Sequence, residues 1–317
     1  MKSSSAVLAV AVLTLGLSAL AIPAQAAAPA LPGTDHLFNA SCDGNPITLF
    51  ELDSATGVGT EVGSSDPEFT CGYGAAWDVT SQTLFGISRD GSDSDLVTFD
   101  LGTGAATYIG TMVDETDTLV FADSMVIDLE GNAYIVSDNR LYSLALDTAE
   151  VTFLGVLSAV DDYSYGFAVD PSTGILYLLQ EDGVLLTVDP LEVTATYVAT
   201  WTFTPGSNRT YGLAIDNAGT AWVVEYPGDE NYTALWSTPL ASFGVAPELS
   251  GDIVDAATES DYEGWWVALV WSEPAPAPAP EPVLAATGFD AAPLALGGLL
   301  LAAAGAVLVA RRSRRTA

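Results

Sequence analysis

From about residue 36 to residue 270, apolar and polar residues alternate in short runs with a period of two, and no convincing helical period interrupts them. Leu49-Phe-Glu-Leu-Asp-Ser-Ala-Thr-Gly-Val-Gly-Thr-Glu-Val-Gly63 lines up with Leu96-Val-Thr-Phe-Asp-Leu-Gly-Thr-Gly-Ala-Ala-Thr-Tyr-Ile-Gly110. Looser copies run from Leu141 to Gly155, Leu185 to Ala199 and Leu235 to Leu249. Each copy reads as a strand, a tight turn carrying Asp, Thr or Gly, and a second strand. Ahead of four copies lies another hairpin, with Trp77-Asp78, Ile127-Asp128, Val169-Asp170 and Ile215-Asp216 closing its first strand. These four aspartates recur roughly every 40–50 residues, and four antiparallel strands at that spacing make a β-propeller blade. Their repetition predicts that they satisfy turn amides in each blade.

The ends of the repeat set the blade count. His36 to Ser41 matches a second strand and has no first strand before it. Asp261-Tyr-Glu-Gly-Trp-Trp-Val-Ala-Leu-Val270 resembles Asp162-Tyr-Ser-Tyr-Gly-Phe-Ala-Val-Asp170, a first strand. The C-terminal strand is therefore expected to complete the first blade, closing the ring and removing sheet edges. The fold class is all-β, a five-bladed β-propeller over residues 32–272. It resembles the broad group of secreted bacterial propellers with L-x-x-h-D-x-x-T-G hairpins, where h is hydrophobic. That resemblance implies architecture and no particular activity.

Outside the repeat, the pattern changes to continuous apolar runs. Lys2, the run Ala6 to Ile22 and Ala24-Gln25-Ala26 have the three-part form of a secretory signal peptide, residues 1–26. Pro274-Ala-Pro-Ala-Pro-Ala-Pro280 lies in a Pro/Ala-rich segment, 273–283, expected to extend as a polyproline II stalk. Leu284-Ala285-Ala286-Thr287-Gly288 then precedes an apolar run over 291–310, long enough for a membrane-spanning helix, and a tail with Arg311, Arg312, Arg314 and Arg315. Residues 284–317 resemble the cell-wall sorting signal of Gram-positive surface proteins, L-P-x-T-G, in the L-A-x-T-G variant of actinobacteria. The resemblance implies that sortase cleaves between Thr287 and Gly288 and joins Thr287 to peptidoglycan, so that the precursor's helix holds the chain at the membrane only until processing. The other reading is a plain C-terminal membrane anchor.

Between residues 27 and 287 stand 40 acids and only three bases, Arg89, Arg140 and Arg209, a net charge of −37. Such a surface repels nucleic acid and anionic membranes. It suits either a cationic partner or simple solubility in a cation-rich wall. No lysine remains there, which separates the chain from lysine-joined pilus subunits and fits a singly anchored monomer. Cys42 and Cys71, an even pair in an exported chain, are expected to form a disulfide.

Strand alternation sends the longer, polar connections to one face and tight turns to the other, where small residues are expected to leave little area for recognition. The long-loop face is where function usually sits on a rigid scaffold. Tyr73-Gly74, Tyr165-Gly166, Tyr211-Gly212 and Tyr262 are expected to ring the channel mouth there, with Arg89, Arg140 and Arg209 nearby. The tyrosines suit either stacking on a sugar or apolar ligand or the packing of adjacent blades. Asp90, Asp93 and Asp95 offer clustered oxygen ligands for Ca2+, without the EF-hand spacing, or simply a solvated acidic loop. No other cofactor is indicated.

His36 is the single histidine, so a Ser-His-Asp triad or histidine-based zinc site has no support and no catalytic residue is assigned. The expected function is a wall-anchored extracellular binding or display protein whose loop face meets a glycan or protein. The alternative is a wall-attached glycosidase or lyase using carboxylates at the channel mouth, which would require two or three acids converging without structural partners.

Overall fold

The computed structural model describes residues 36–41, 46–65, 69, 71–90, 93–203, 209–226, 233–245, 247–255 and 267–270. The signal segment, the stalk, the sorting motif Leu284–Gly288, the run 291–310, Cys42 and Tyr262 all lie outside the described residues.

The described residues form an all-β, five-bladed β-propeller. In chain order the strands are β1 (His36–Ala40), β2 (Thr48–Leu52), β3 (Val58–Ser64), β4 (Cys71–Asp78), β5 (Thr83–Asp90), β6 (Asp93–Phe99), β7 (Ala106–Thr111) and β8 (Val113–Asp114). They continue as β9 (Ser124–Ile127), β10 (Ala133–Ser137), β11 (Arg140–Leu144), β12 (Glu150–Val156), β13 (Gly166–Val169), β14 (Leu176–Leu179) and β15 (Val184–Asp189). The remainder are β16 (Thr194–Thr200), β17 (Arg209–Ile215), β18 (Thr220–Tyr226), β19 (Ala234–Pro239), β20 (Glu248–Asp252), β21 (Val254–Asp255) and β22 (Ala268–Val270). Blades 2, 4 and 5 are the consecutive sheets β4–β7, β13–β16 and β17–β20. Blade 3 is β9–β12 with β8 on its outer edge, and blade 1 is β22-β1-β2-β3 with β21 on its outer edge.

The innermost strands β22, β4, β9, β13 and β17 adjoin one another in that order and back to β22. Closure of blade 1 by the C-terminal strand appears as the antiparallel register Leu37↔Leu269 and Phe38↔Ala268. A second closure, not legible in the sequence, lies on the outside. There β21 runs parallel to β3 with Val254 opposite Val58, as β8 does to β12 with Val113 opposite Glu150.

The repeating aspartates act as turn caps. Asp78 accepts the Thr80 amide and the Thr80 and Ser81 hydroxyls, and Asp170 accepts the corresponding groups of Ser172 and Thr173. Asp128 and Asp216 accept two backbone amides each. In the outer hairpins Asp53 and Asp100 do the same for the turns ending at Gly57 and Gly104, whose φ values are 73° and 71°. Such left-handed geometry carries no Cβ penalty at glycine.

These turns also join the blades. Opposite a leucine, the outer strand of every blade bulges, at Leu49, Leu96, Leu141, Leu185 and Leu235. The bulged strand meets the outer turn of the next blade so closely that a Cβ on Gly63 would lie 2.0 Å from Thr103 O. A Cβ on Gly110 would lie 2.7 Å from Thr148 O and one on Gly155 2.9 Å from Val193. One on Gly244 would lie 2.4 Å from Thr200 O. The cycle returns to its start where a Cβ on Gly251 of blade 5 would lie 1.9 Å from Thr56 O of blade 1. The glycine at the end of the sequence repeat is thus a site of backbone approach between blades.

Candidate functional site

The five inner strands fill the centre of the ring with apolar side chains. Ala75, Trp77, Val126, Phe167, Leu213 and Val267 leave a cavity of about 30 Å³ between them. A space of that size holds about two waters and no ligand. Recognition is therefore confined to the ends of the channel and the surfaces around it.

At the long-loop end, the sequence-predicted tyrosines enter the inner strands as extra residues. Ladder pairing skips Tyr73 between Gly72 and Gly74, and skips Tyr211 between Thr210 and Gly212. A bulge of this kind re-aims the side chain of the unpaired residue. Tyr165 stands just before Gly166, which pairs with Leu179. In blade 3 Ser124 pairs with Val136 where glycines pair in blades 2, 4 and 5, so Asp123 takes the tyrosine's place. Reading the repeat for Tyr-Gly misses Asp123, whereas the spacing from Ile127-Asp128 would have found it.

Asp123 and Arg89 join blades 2 and 3. The Arg89 guanidinium is sandwiched 3.7 Å from the Tyr73 ring centroid and 3.3 Å from that of Phe121. Its Nη2 donates to the Ala122 carbonyl and, at 3.1 Å, to Asp123 Oδ1. Asp123 Oδ2 accepts the Asp138 amide at 2.7 Å. Side-chain exposures of 5% and 3% place this ion pair inside the protein. Burial holds the Asp123 carboxyl above its ordinary range, against the lowering effects of the Asp138 amide and Arg89. Arg89 is thus part of the frame, and the exposed Phe121 ring covers it.

Blades 4 and 5 carry a run of aromatic rings. Tyr163 stacks on Tyr165 with centroids 6.0 Å apart, Tyr165 meets Tyr211 at 5.2 Å, and Tyr211 meets Tyr226 at 5.8 Å. Tyr211 is buried, Tyr165 and Tyr226 are half-buried, and Tyr163 is exposed. Beside them Arg209 Nε pairs with Glu181 Oε1 at 3.0 Å, and Arg209 Nη1 donates to the Tyr211 hydroxyl at 3.4 Å. Burial raises the Glu181 carboxyl's pKa in spite of Arg209. Burial, followed by the Glu181 and Asp123 charges, pushes the Tyr165 hydroxyl far above the ordinary phenol range. Tyr165 therefore stays neutral. Deeper in blade 5, Glu225 is buried and accepts the Trp201 indole N–H at 3.0 Å.

The other expected residues are dispersed. Arg140 is exposed at the start of β11, opposite Ser137 in the blade 3 hairpin. Strands β5 and β6 stay paired as far as Asp90 opposite Asp93, so Asp90, Asp93 and Asp95 lie on strands in place of the expected loop. Asp95 accepts the Thr111 hydroxyl at 2.6 Å, and Asp90 is described by its backbone alone. Cys71 is disulfide-bonded and opens β4 at the long-loop face.

Among the described residues, two clefts flank the ring. One of about 250 Å³, at the long-loop face between blades 3 and 4, is lined by Asp138, Asn139, Val160, Asp161, Asp162 and Tyr163. The other, about 430 Å³, lies among the turns of the opposite face and includes Asp128, Glu130, Ile175, Asp189, Pro190 and Thr194. This larger cleft corrects the expectation that the tight-turn face has little area for recognition: short turns on adjacent blades leave a trough between them.

No family model matches the chain, and no curated protein matches it. Among solved structures, a chain of a nidogen/laminin complex is similar over 76% of this chain and 100% of its own, with a TM-score of 0.50 and 13% identity. A structural-genomics protein of unknown function from Bacteroides thetaiotaomicron is similar over 61% of this chain and 54% of its own, with a TM-score of 0.45 and 18% identity. Hydrazine synthase from Kuenenia stuttgartiensis is similar over 77% of this chain and 72% of its own, with a TM-score of 0.39 and 12% identity. At 13% identity the likeness to the nidogen/laminin chain concerns the fold alone.

Proposed function

We propose that this protein is an exported, wall-attached binding module that recognises a glycan at the tyrosine-lined mouth of its propeller. The run Tyr163–Tyr165–Tyr211–Tyr226 carries the reading. Its rings present flat apolar faces with polar tips, the pairing that suits a sugar's C–H face and hydroxyls. Arg209 and Glu181 stand beside the rings as hydrogen-bonding groups at the edge of the same surface. The hydrolytic alternative is weaker because Asp123, Glu181 and Glu225 each have a structural partner, in Arg89, Arg209 and Trp201. A glycan-array screen of the intact protein tests the reading. A saturable ligand should lose at least about tenfold in affinity with Tyr165→Ala, while far-ultraviolet circular dichroism is unchanged. The absence of any glycan ligand, or equal binding by the variant, would overturn it.

Attachment rests on Leu284-Ala285-Ala286-Thr287-Gly288, the apolar run after it and the terminal arginines. In this reading sortase transfers the Thr287 carbonyl to a peptidoglycan amine, and the Pro/Ala stalk holds the domain away from the membrane. Thr287→Ala should abolish covalent recovery in the wall fraction. Undiminished attachment of that variant would leave a membrane-anchored protein instead.

A further inference from the structure

In blades 1 and 3 the chain itself covers the outer edge of the last strand, and in blade 4 the same edge is bare. Met112 N donates to Ser94 O, and the chain then runs on as β8 along the start of β12. Ile253 N donates to Thr233 O, and the chain runs on as β21 along the start of β3. Leu157 begins in the same way, donating to Asn139 O. There the chain folds back at once, with Val160 N donating to Leu157 O, and no described strand pairs with the outer side of β16. The cross-strand partners Leu52↔Gly59, Leu144↔Val151 and Val188↔Ala195 put Ala195 at the position that Gly59 and Val151 hold. Both of those lie opposite the aspartate of a covering Val-Asp pair, Asp255 and Asp114.

The bare edge is undefended. Open strand edges are ordinarily protected by charge or proline. β16, Thr194-Ala-Thr-Tyr-Val-Ala-Thr200, has neither, in a chain with 40 acids between residues 27 and 287. Tyr197 on it is 60% exposed. Thr194 and Thr196 also border the trough of about 430 Å³, which β7, the other uncharged outer strand, does not. Ile175, Val188 and Pro190 give that trough an apolar lining, beside Asp128 and Glu130 of blade 3 and Asp189 of blade 4. The three carboxylates bear on one point: after burial, their charges raise the pKa of the Tyr134 hydroxyl.

We propose that β16 and the trough dock an extended, basic segment of a partner polypeptide, paired parallel to β16 from Thr194 onward. Strand addition draws its affinity from main-chain hydrogen bonds, and β8 and β21 show the pattern within this molecule. Thr194 and Thr196 are two residues apart and so mark one face of the sheet. Every second side chain of the added strand stands on that face, beside the trough. Apolar and cationic side chains there match its lining in character and in charge. A second copy of this chain is the poorer occupant, since each copy brings a net charge of −37 between residues 27 and 287 and β16 has no cation to offset it. The inference goes beyond glycan recognition and uses the face of the ring opposite the tyrosines.

The test is fluorescence anisotropy of labelled Lys-Val-Lys-Val-Lys-Val with the intact protein, at about 150 mM salt to screen diffuse attraction. Saturable binding is expected. It should be at least about tenfold weaker for Glu-Val-Glu-Val-Glu-Val, and likewise for Lys-Pro-Lys-Pro-Lys-Pro, whose prolines lack amide donors. Thr194→Lys, which places a like charge on the bare edge, should abolish binding, and Glu130→Gln should weaken it. Tyr165→Ala should leave it unchanged, which keeps a failure here distinct from a failure of the glycan reading. In the wild type, amide NMR shifts on adding the peptide should centre on 128–130 and 194–197, a readout that does not depend on the variants folding. Sedimentation without peptide should show a monomer. The absence of saturable binding, equal binding of the acidic or proline peptide, equal binding by Thr194→Lys, or shifts centred elsewhere would overturn the proposal. So would a dimer that Thr194→Lys dissociates, since the edge would then belong to a second copy.

Discussion

Arg89 is one of three basic side chains between residues 27 and 287, and it is the one the fold has taken inside. The guanidinium suits this role because it stays charged, stacks between Tyr73 and Phe121, and donates toward Asp123 and Ala122 together. Replacing it by Leu would strand the Asp123 carboxyl inside the protein, which typically costs about 3–5 kcal/mol. Urea denaturation should show that loss for Arg89→Leu, and a much smaller loss when Asp123→Asn is added. A pH dependence follows from Asp123 alone. Burial raises its folded pKa above the unfolded value of 3.8, so the folded state takes up this proton more readily than the unfolded chain. Its contribution is fully present below 3.8 and is lost as pH rises through the raised folded value. The wild type should therefore gain melting temperature relative to Asp123→Asn as pH falls from neutral toward that range. A difference that is constant with pH would refute the burial argument.

Among the elements, the outer hairpin repeats most plainly, and its glycines are chosen by contact with the neighbouring blade. Gly219, by contrast, has φ +79° and nothing within 4 Å of a Cβ placed on it. Gly219→Ala should cost about 1 kcal/mol from backbone conformation alone. Gly251→Ala drives a Cβ into the Thr56 carbonyl and should cost about 1–3 kcal/mol or more, because backbone must move. Thermal unfolding of the two variants side by side checks the order; equal losses would mean that the blade 5 to blade 1 contact yields easily. The hairpins, the Asp caps and the closing strand were legible because period-two alternation and Asx turns are local chemistry. Asp123 was not, because blade 3 lacks the tyrosine that marks blades 2, 4 and 5. Nor were β8 and β21, two-residue strands whose pairing depends on a partner in the next blade. In the looser hairpin copies Ala149 and Val193 take positive φ, 62° and 51°, at the position the motif gives to glycine. Those turns are held by their neighbours more than by their own residue preference.

For the whole molecule, the ring closes on both sides of the first blade, with β22 within and β21 without. A sheet ring without open inner edges, filled with apolar side chains, is rigid and holds the residues at its mouth in fixed relation. That rigidity is why four tyrosines from two adjacent blades form one surface, and why recognition is assigned there. The trough of about 430 Å³ on the opposite face is the competing location, and its size makes it a serious one. Hydrogen–deuterium exchange of the intact protein, with and without the glycan identified on the array, separates the two faces directly. The account predicts protection centred on Tyr163 to Gly166 and Arg209 to Gly212, with the turns at Ser172 to Gly174 and Asp189 to Thr194 unchanged. Protection confined to those turns, with the tyrosine segments unaffected, would contradict it.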